Sequence, residues 1–129
     1  MRSYMVGSKT FQEIMEKAPA MIARLSEEYE DKRKEWTIAK EDLNVLEAKT
    51  LLVLSAKFPD DKVGEIKAKV SSNEDIYKLR LEVIGLESEY RQLDVKVESW
   101  INAYISARKF ATLAVQEINN LETTKRGGL

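Results

Sequence analysis

The stretch that decides the fold is residues 76–121, IYKLRLEVIGLESEYRQLDVKVESWINAYISARKFATLAVQEINNL. Stepping alternately three and four residues from Ile76 meets Leu79, Val83, Leu86, Tyr90, Leu93, Val97, Trp100, Tyr104, Ala107, Ala111, Ala114, Ile118 and Leu121. Every one of these positions is apolar or aromatic. A stripe held in this phase over six heptads is the pattern of a coiled-coil seam, and at 1.5 Å per residue such a helix is roughly 70 Å long. Just before it, Asn73 offers an N-cap oxygen, and Glu74 and Asp75 place negative charge in the first turn, where the helix dipole favours it. Gly85 lies within the helix, where it permits close approach or a local bend.

Working back from Asn73, the Ser71-Ser72-Asn73 break closes a short helix over about Lys62 to Val70. Pro59, Asp60 and Asp61 stop the helix before it and cap the short one. That preceding helix is expected from Pro19, in its first turn, to about Lys57. Its three-four stripe reads Ile22, Leu25, Tyr29, Lys32, Trp36, Ala39, Leu43, Leu46, Thr50, Val53 and Lys57, interrupted at Lys32, Thr50 and Lys57. A further short helix is expected over Thr10 to Lys17. No run alternates as a strand would, and Ala, Leu, Glu, Lys and Arg dominate. The expectation is an all-α protein: a long antiparallel, coiled-coil-like helical hairpin with a short tip helix and a short N-terminal helix. It forms one domain over residues 1–129, with a flexible arm over 1–9 and a flexible tail over 123–129.

Composition narrows function by what is missing. The 129 residues include no His and no Cys, which excludes zinc fingers, His-zinc hydrolases, thiolate nucleophiles, Ser-His-Asp triads and disulfide frameworks. No glycine loop is present to cradle a phosphate. The acidic runs Glu27, Glu28, Glu30, Asp31 and Glu82, Glu87, Glu89 lack the ligand spacing of a known metal loop, and Lys32, Arg33 and Lys34 beside the first make helix-surface ion pairs the simpler reading. Trp36 and Trp100 fall on the seams and read as core. A protein without catalytic residues, metal or cofactor is therefore expected. With no signal peptide and no run of about 18 apolar residues, it is expected to be cytoplasmic, in the host cell if phage-encoded, and to bind no membrane.

A second apolar row on the long helix, Leu81, Ile84, Val95, Ile101, Ile105, Phe110, Leu113 and Val115, lies off the seam. Burying a side chain of this kind is worth about 1.5–3 kcal/mol, so leaving eight in water forfeits an amount comparable with a domain's whole stability. Self-association through this helix is expected, with Ile101, Ile105, Phe110, Leu113 and Val115 among its contacts; the alternative is an internal three- or four-helix bundle in which the amino-terminal and tip helices fold back over the row. Charge is also segregated. Lys and Arg number 21 against 22 Asp and Glu, yet residues 48–81 carry +2 between segments of −4 (13–47) and −3 (82–102). Lys49, Lys57, Lys62, Lys67 and Lys69 gather at the tip with Phe58, joined by Lys78, Arg80 and Tyr77, a combination that attracts phosphates and stacks an unpaired base. Asp60, Asp61, Glu65, Glu74 and Asp75 dilute the patch, and a solvated tip of balanced charge is the alternative.

The order LEAK (46–49), VLSAKF (53–58), GEIKAKV (64–70), SSNEDIYKL (71–79) and ISARKFA (105–111) resembles the UvsY family of phage recombination mediators over Leu46 to Ile118. The resemblance implies an oligomeric protein without catalysis. It further implies binding to single-stranded DNA and a part in loading a RecA-like recombinase onto DNA covered by single-strand-binding protein. The family's basic pair in an L-K-A-R-L segment falls on Leu54-Ser55-Ala56-Lys57-Phe58, which keeps the second basic position as Lys57 and has Ser55 at the first. Lys49 lies two turns before Lys57, and Arg108, Phe110 and Ala111 match the family's Arg-x-Phe-Ala run, where its helices assemble. The competing expectation is a helical oligomeric adaptor, assembly chaperone or phage inhibitor that binds another protein through its coiled-coil surface.

Overall fold

The structure, a computed structural model, describes residues 8–127, with side chains described for residues 10–123. It consists of three helices: α1 (Ser8–Lys57), α2 (Val63–Ser71) and α3 (Glu74–Gly127). No strand occurs among the described residues, and the two long helices pack against each other, so the fold is an all-α helical hairpin. Its contacts group into two compact units, Met1–Ser26 with Asp94–Leu129, and Glu27–Leu93.

In the 27–93 unit the core is the cluster of Leu43, Val70 and Ile76, one residue from each helix, with Leu46, Leu54, Leu79 and Val83 packed against it. Ile76 is fully buried. Further along, Trp36 and Tyr29 both meet Tyr90, at ring-centroid distances of 5.2 and 5.7 Å. The seams follow the sequence stripes closely. On α3 every stripe position from Ile76 to Ala114 is buried or half-buried, as is every one on α1 from Ile22 to Thr50. Lys32 keeps its place in the stripe because Glu89 on α3, at 3.0 Å, and Glu35, at 3.3 Å, receive its ammonium. Those hydrogen bonds, that of Glu89 foremost, raise the Lys32 pKa above its ordinary 10.5. The pair's contribution is therefore complete below that value and is lost as the pH climbs past the raised one.

Several boundaries differ from the sequence expectation. There is no separate helix over Thr10 to Lys17, because α1 begins at Ser8 and runs through Pro19. A proline inside a helix costs about 3 kcal/mol. Packing on both sides of it offsets that cost: Phe11 stacks on Phe110, with centroids 3.9 Å apart and planes within 11°, and Ala18 and Leu25 are buried. At the other end α3 continues through Thr123, the expected start of the tail, to Gly127, since no Pro or Gly precedes Gly127 there. The rest of the expected arm, residues 1–7, and residues 128–129 lie outside the described residues. Ile118 and Leu121 are exposed, lying more than two turns past Phe110, which already faces the start of α1. Near the tip the α1 stripe shifts phase: Val53 and Lys57 are exposed, and Leu54 and Phe58 take their places inside.

The joints are made locally. Phe58, Pro59, Asp60 and Asp61 form a turn closed by the Asp61 N–H donating to the Phe58 carbonyl at 3.1 Å, with proline at the position whose φ it pre-sets. The N-cap of α2 is Lys62, whose ammonium has no acceptor to offer the first N–H groups, so no side-chain capping bond forms; the carboxylate of Asp61, one residue earlier, is engaged by Lys69. Asn73 caps α3 as expected: its Oδ1 accepts the Ile76 N–H at 3.1 Å. Ile76→Ala is expected to lower the unfolding free energy by about 2–5 kcal/mol, whereas Val53→Ala changes it by about 0.5 kcal/mol or less. Urea unfolding at one fixed protein concentration checks both; equal losses would put the seam in the wrong phase.

Candidate nucleic-acid interface

The six tip residues singled out in the sequence are divided among several surroundings. Phe58 is half-buried after the last turn of α1. The Lys69 ammonium stands 3.4 Å from its ring centroid and also pairs with the Asp61 carboxylate, while the Lys57 ammonium lies 5.6 Å from the same ring. The structure thus brings Lys57, Phe58 and Lys69 together, but one face of the ring is covered by Lys69 and the charge of Lys69 is countered by Asp61. Phe58 works here as the aromatic centre of a clasp between the turn and the end of α2.

Lys67 points elsewhere. It lines a groove of about 420 Å³ with Asn44, Ala48 and Leu51 of α1, Val70 and Ser71 of α2, and the ion pair Glu47–Arg80. In that pair the Arg80 Nε and Nη2 both donate to Glu47 Oε1, at 3.1 and 3.0 Å. Arg80, Asn44 and Ser71 were not among the residues chosen from the sequence. Arg80 lay within reach as one of the tip cations, but its pairing with a residue 33 positions away has no local signal. Lys62 is exposed at the α2 N-cap. Lys49 is exposed on α1, and the eight residues to Lys57 turn the helix so that the two stand about 80° apart rather than on one face. Among the described residues Lys49, Lys57, Lys62 and Lys67 have no carboxylate within ion-pair distance. The tip therefore presents four unpaired ammonium groups, together with the likewise unpaired carboxylates of Asp60, Glu65 and Asp75, around one neutralised clasp.

In the other unit, the expected assembly residues lie on α3. Ile105, Arg108 and Leu113 line one groove of about 520 Å³ with Lys109, Thr112 and Gln116. Ile101 and Val115 are exposed outside that lining, and Phe110 has its ring stacked on Phe11. The Arg108 guanidinium lies 5.7 Å from the Tyr104 ring. The acidic runs are tied into ion pairs at Glu87 with Arg91 and at Glu89 with Lys32. No group of three or more metal-ligating side chains is found among the described residues, nor any helix long and apolar enough to cross a membrane.

Comparison of the chain with protein-family models, curated proteins and solved structures gives no match. The stability of the tip can be tested directly. Lys69→Met removes both the ammonium over Phe58 and the bond to Asp61, and is expected to cost about 1 kcal/mol, while Lys62→Met costs about 0.5 kcal/mol or less. Thermal unfolding of the two variants, compared at equal concentration, checks the difference.

Proposed function

We propose that this chain is a non-catalytic, self-associating helical protein that binds single-stranded DNA at its tip. It acts as a recombination mediator, helping a RecA-like recombinase replace single-strand-binding protein. The observation that carries the reading is the group of unpaired cations, Lys49, Lys57, Lys62 and Lys67, around the α1–α2 turn, in a chain whose net charge is −1. A cation without a carboxylate partner can release a counterion from a phosphate at no cost in broken ion pairs. The order of segments that resembles the UvsY family supports the same reading, with Lys57 at the second of its two basic positions, while Ser55 at the first departs from the pattern.

Self-association supplies what one weak site lacks. All eight residues of the second α3 row, from Leu81 to Val115, are exposed in the single chain. Contacts through Ile101, Ile105, Arg108, Leu113 and Val115, with the outer edge of Phe110, would cover the part of that row in the 94–129 segment and set several tips along one strand. Each tip then adds avidity to the others. The same exposed row favours a second reading, in which an oligomeric adaptor or inhibitor presents it to another protein; such a molecule shows no salt-dependent affinity for nucleic acid.

Fluorescence anisotropy with labelled single-stranded and duplex DNA at several salt concentrations tests the proposal. Preference for the single strand with a negative log–log salt slope is expected, and no binding at low salt overturns it. Lys49→Ala combined with Lys57→Ala should weaken binding and flatten the slope while the helical circular dichroism stays the same. Asp61→Asn makes the opposite prediction: with the Lys69 charge no longer countered, binding tightens and the slope steepens by about 0.7 for single-stranded DNA.

A further inference from the structure

The groove that holds the Glu47–Arg80 ion pair is walled by all three helices. Asn44, Ala48 and Leu51 come from α1, Lys67 and Ser71 from α2, and Arg80 from α3. The grooves around Arg108 and around Arg33 are, by contrast, each lined by a single helix. At about 420 Å³ the three-helix groove lies within the range of small-ligand sites, and the seven residues from Asn44 to Leu51 give it a length of roughly 10 Å along α1. That is room for a single nucleotide and not for a folded partner.

The polar groups of this groove are not used up inside the chain. Among the described residues the side chains of Asn44 and Ser71 bond no other residue, whereas the next residue, Ser72, turns its hydroxyl back to the Ala68 and Lys69 carbonyls at 2.9 and 3.2 Å. Lys67 has no carboxylate within ion-pair distance. Arg80 places Nε and Nη2 on one oxygen of Glu47, which leaves its Nη1 and the second Glu47 oxygen outside the pair. Lys67 and Arg80 against Glu47 give the lining one net positive charge, the complement of a single phosphodiester. Ala48, Leu51 and Val70 supply an apolar wall on which a base lies out of water. The Asn44 amide both donates and accepts, so it suits the Watson–Crick edge of a base, which is free in a single strand and occupied in a duplex. A carboxylate alone, as in an acidic peptide, would engage Lys67 and leave the amide and the apolar wall without a role.

We propose that this groove receives one nucleotide of a single strand. The phosphate is held by Lys67 and Arg80, with the Ser71 hydroxyl, one turn along α2 from Lys67, donating to it; the base lies against Ala48 and Leu51 with its edge on Asn44. The inference rests on the DNA reading and deepens it, because it supplies what the tip cations by themselves lack. A duplex carries about twice the charge of a single strand per unit length, so cations alone do not select the single strand. A groove that accepts an unpaired base does.

Asn44→Ala combined with Ser71→Ala separates the groove from the cations around it, because both residues are exposed, neutral and unbonded. With labelled oligothymidine, anisotropy is expected to show binding about three- to tenfold weaker at every salt concentration, with the log–log slope and the helical circular dichroism unchanged. Placement is read in the cysteine-free chain. Oligothymidine is expected to slow maleimide labelling of Ala48→Cys several-fold and to leave that of Val53→Cys, about 140° round the same helix, as it was. Unchanged affinity in the double variant overturns the groove and leaves the DNA reading standing, since the tip cations then account for binding alone. The groove is also overturned if Ala48→Cys stays unprotected, or is protected by poly-glutamate and not by oligothymidine. If the unmodified chain does not bind oligothymidine at low salt, the DNA reading and the groove fall together.

Discussion

Two helices packed side by side share one seam, and a helix can bury only a stripe of its surface in one seam. Leu43, Val70 and Ile76 mark the place where a third helix widens that seam into a small core. Elsewhere the contact is two helices thick, and this geometry governs the rest of the molecule. Where the two long helices face each other alone, from Ile22 to Thr50 and from Ile76 to Ala114, positions in phase with the stripe are turned inward whatever their chemistry, and apolar positions such as Ile38 and Val45 that are out of phase stay in water. Lys32 and Ile38 show the two sides of the rule. The lysine is drawn into the seam and answered by Glu89 and Glu35, while the isoleucine six residues on is left outside.

That phase rule is why so much of the fold was legible in the sequence. The α3 stripe from Ile76 to Ala114, the α1 stripe from Ile22 to Thr50, the break at Ser72-Asn73 and the Asn73 cap all follow from spacing and local hydrogen-bond chemistry, which one chain displays along its length. The departures arise where a distant contact overrides a local preference. Pro19 stays helical because Phe11 finds Phe110, some hundred residues away in sequence. The change from Val53 to Leu54 occurs where α2 enters the core and the partner surface is no longer a single helix.

The tip was the least legible part. The cations could be counted from the sequence, but which of them meet a carboxylate depends on how α2 folds back. Asp61 and Lys69 lie on opposite ends of that short helix, and Glu47 and Arg80 on different long ones.

Pro19 has a further consequence for how the amino-terminal turns of α1 are held. Proline has no amide hydrogen, so the Met15 carbonyl receives no bond from it and the ladder of backbone hydrogen bonds has a missing rung. The turns before that rung keep their other backbone bonds and lean on α3 through the stacking of Phe11 on Phe110. With one rung fewer, this end of α1 is expected to open before the rest of the helix, its amides exchanging with solvent ahead of those around the buried core.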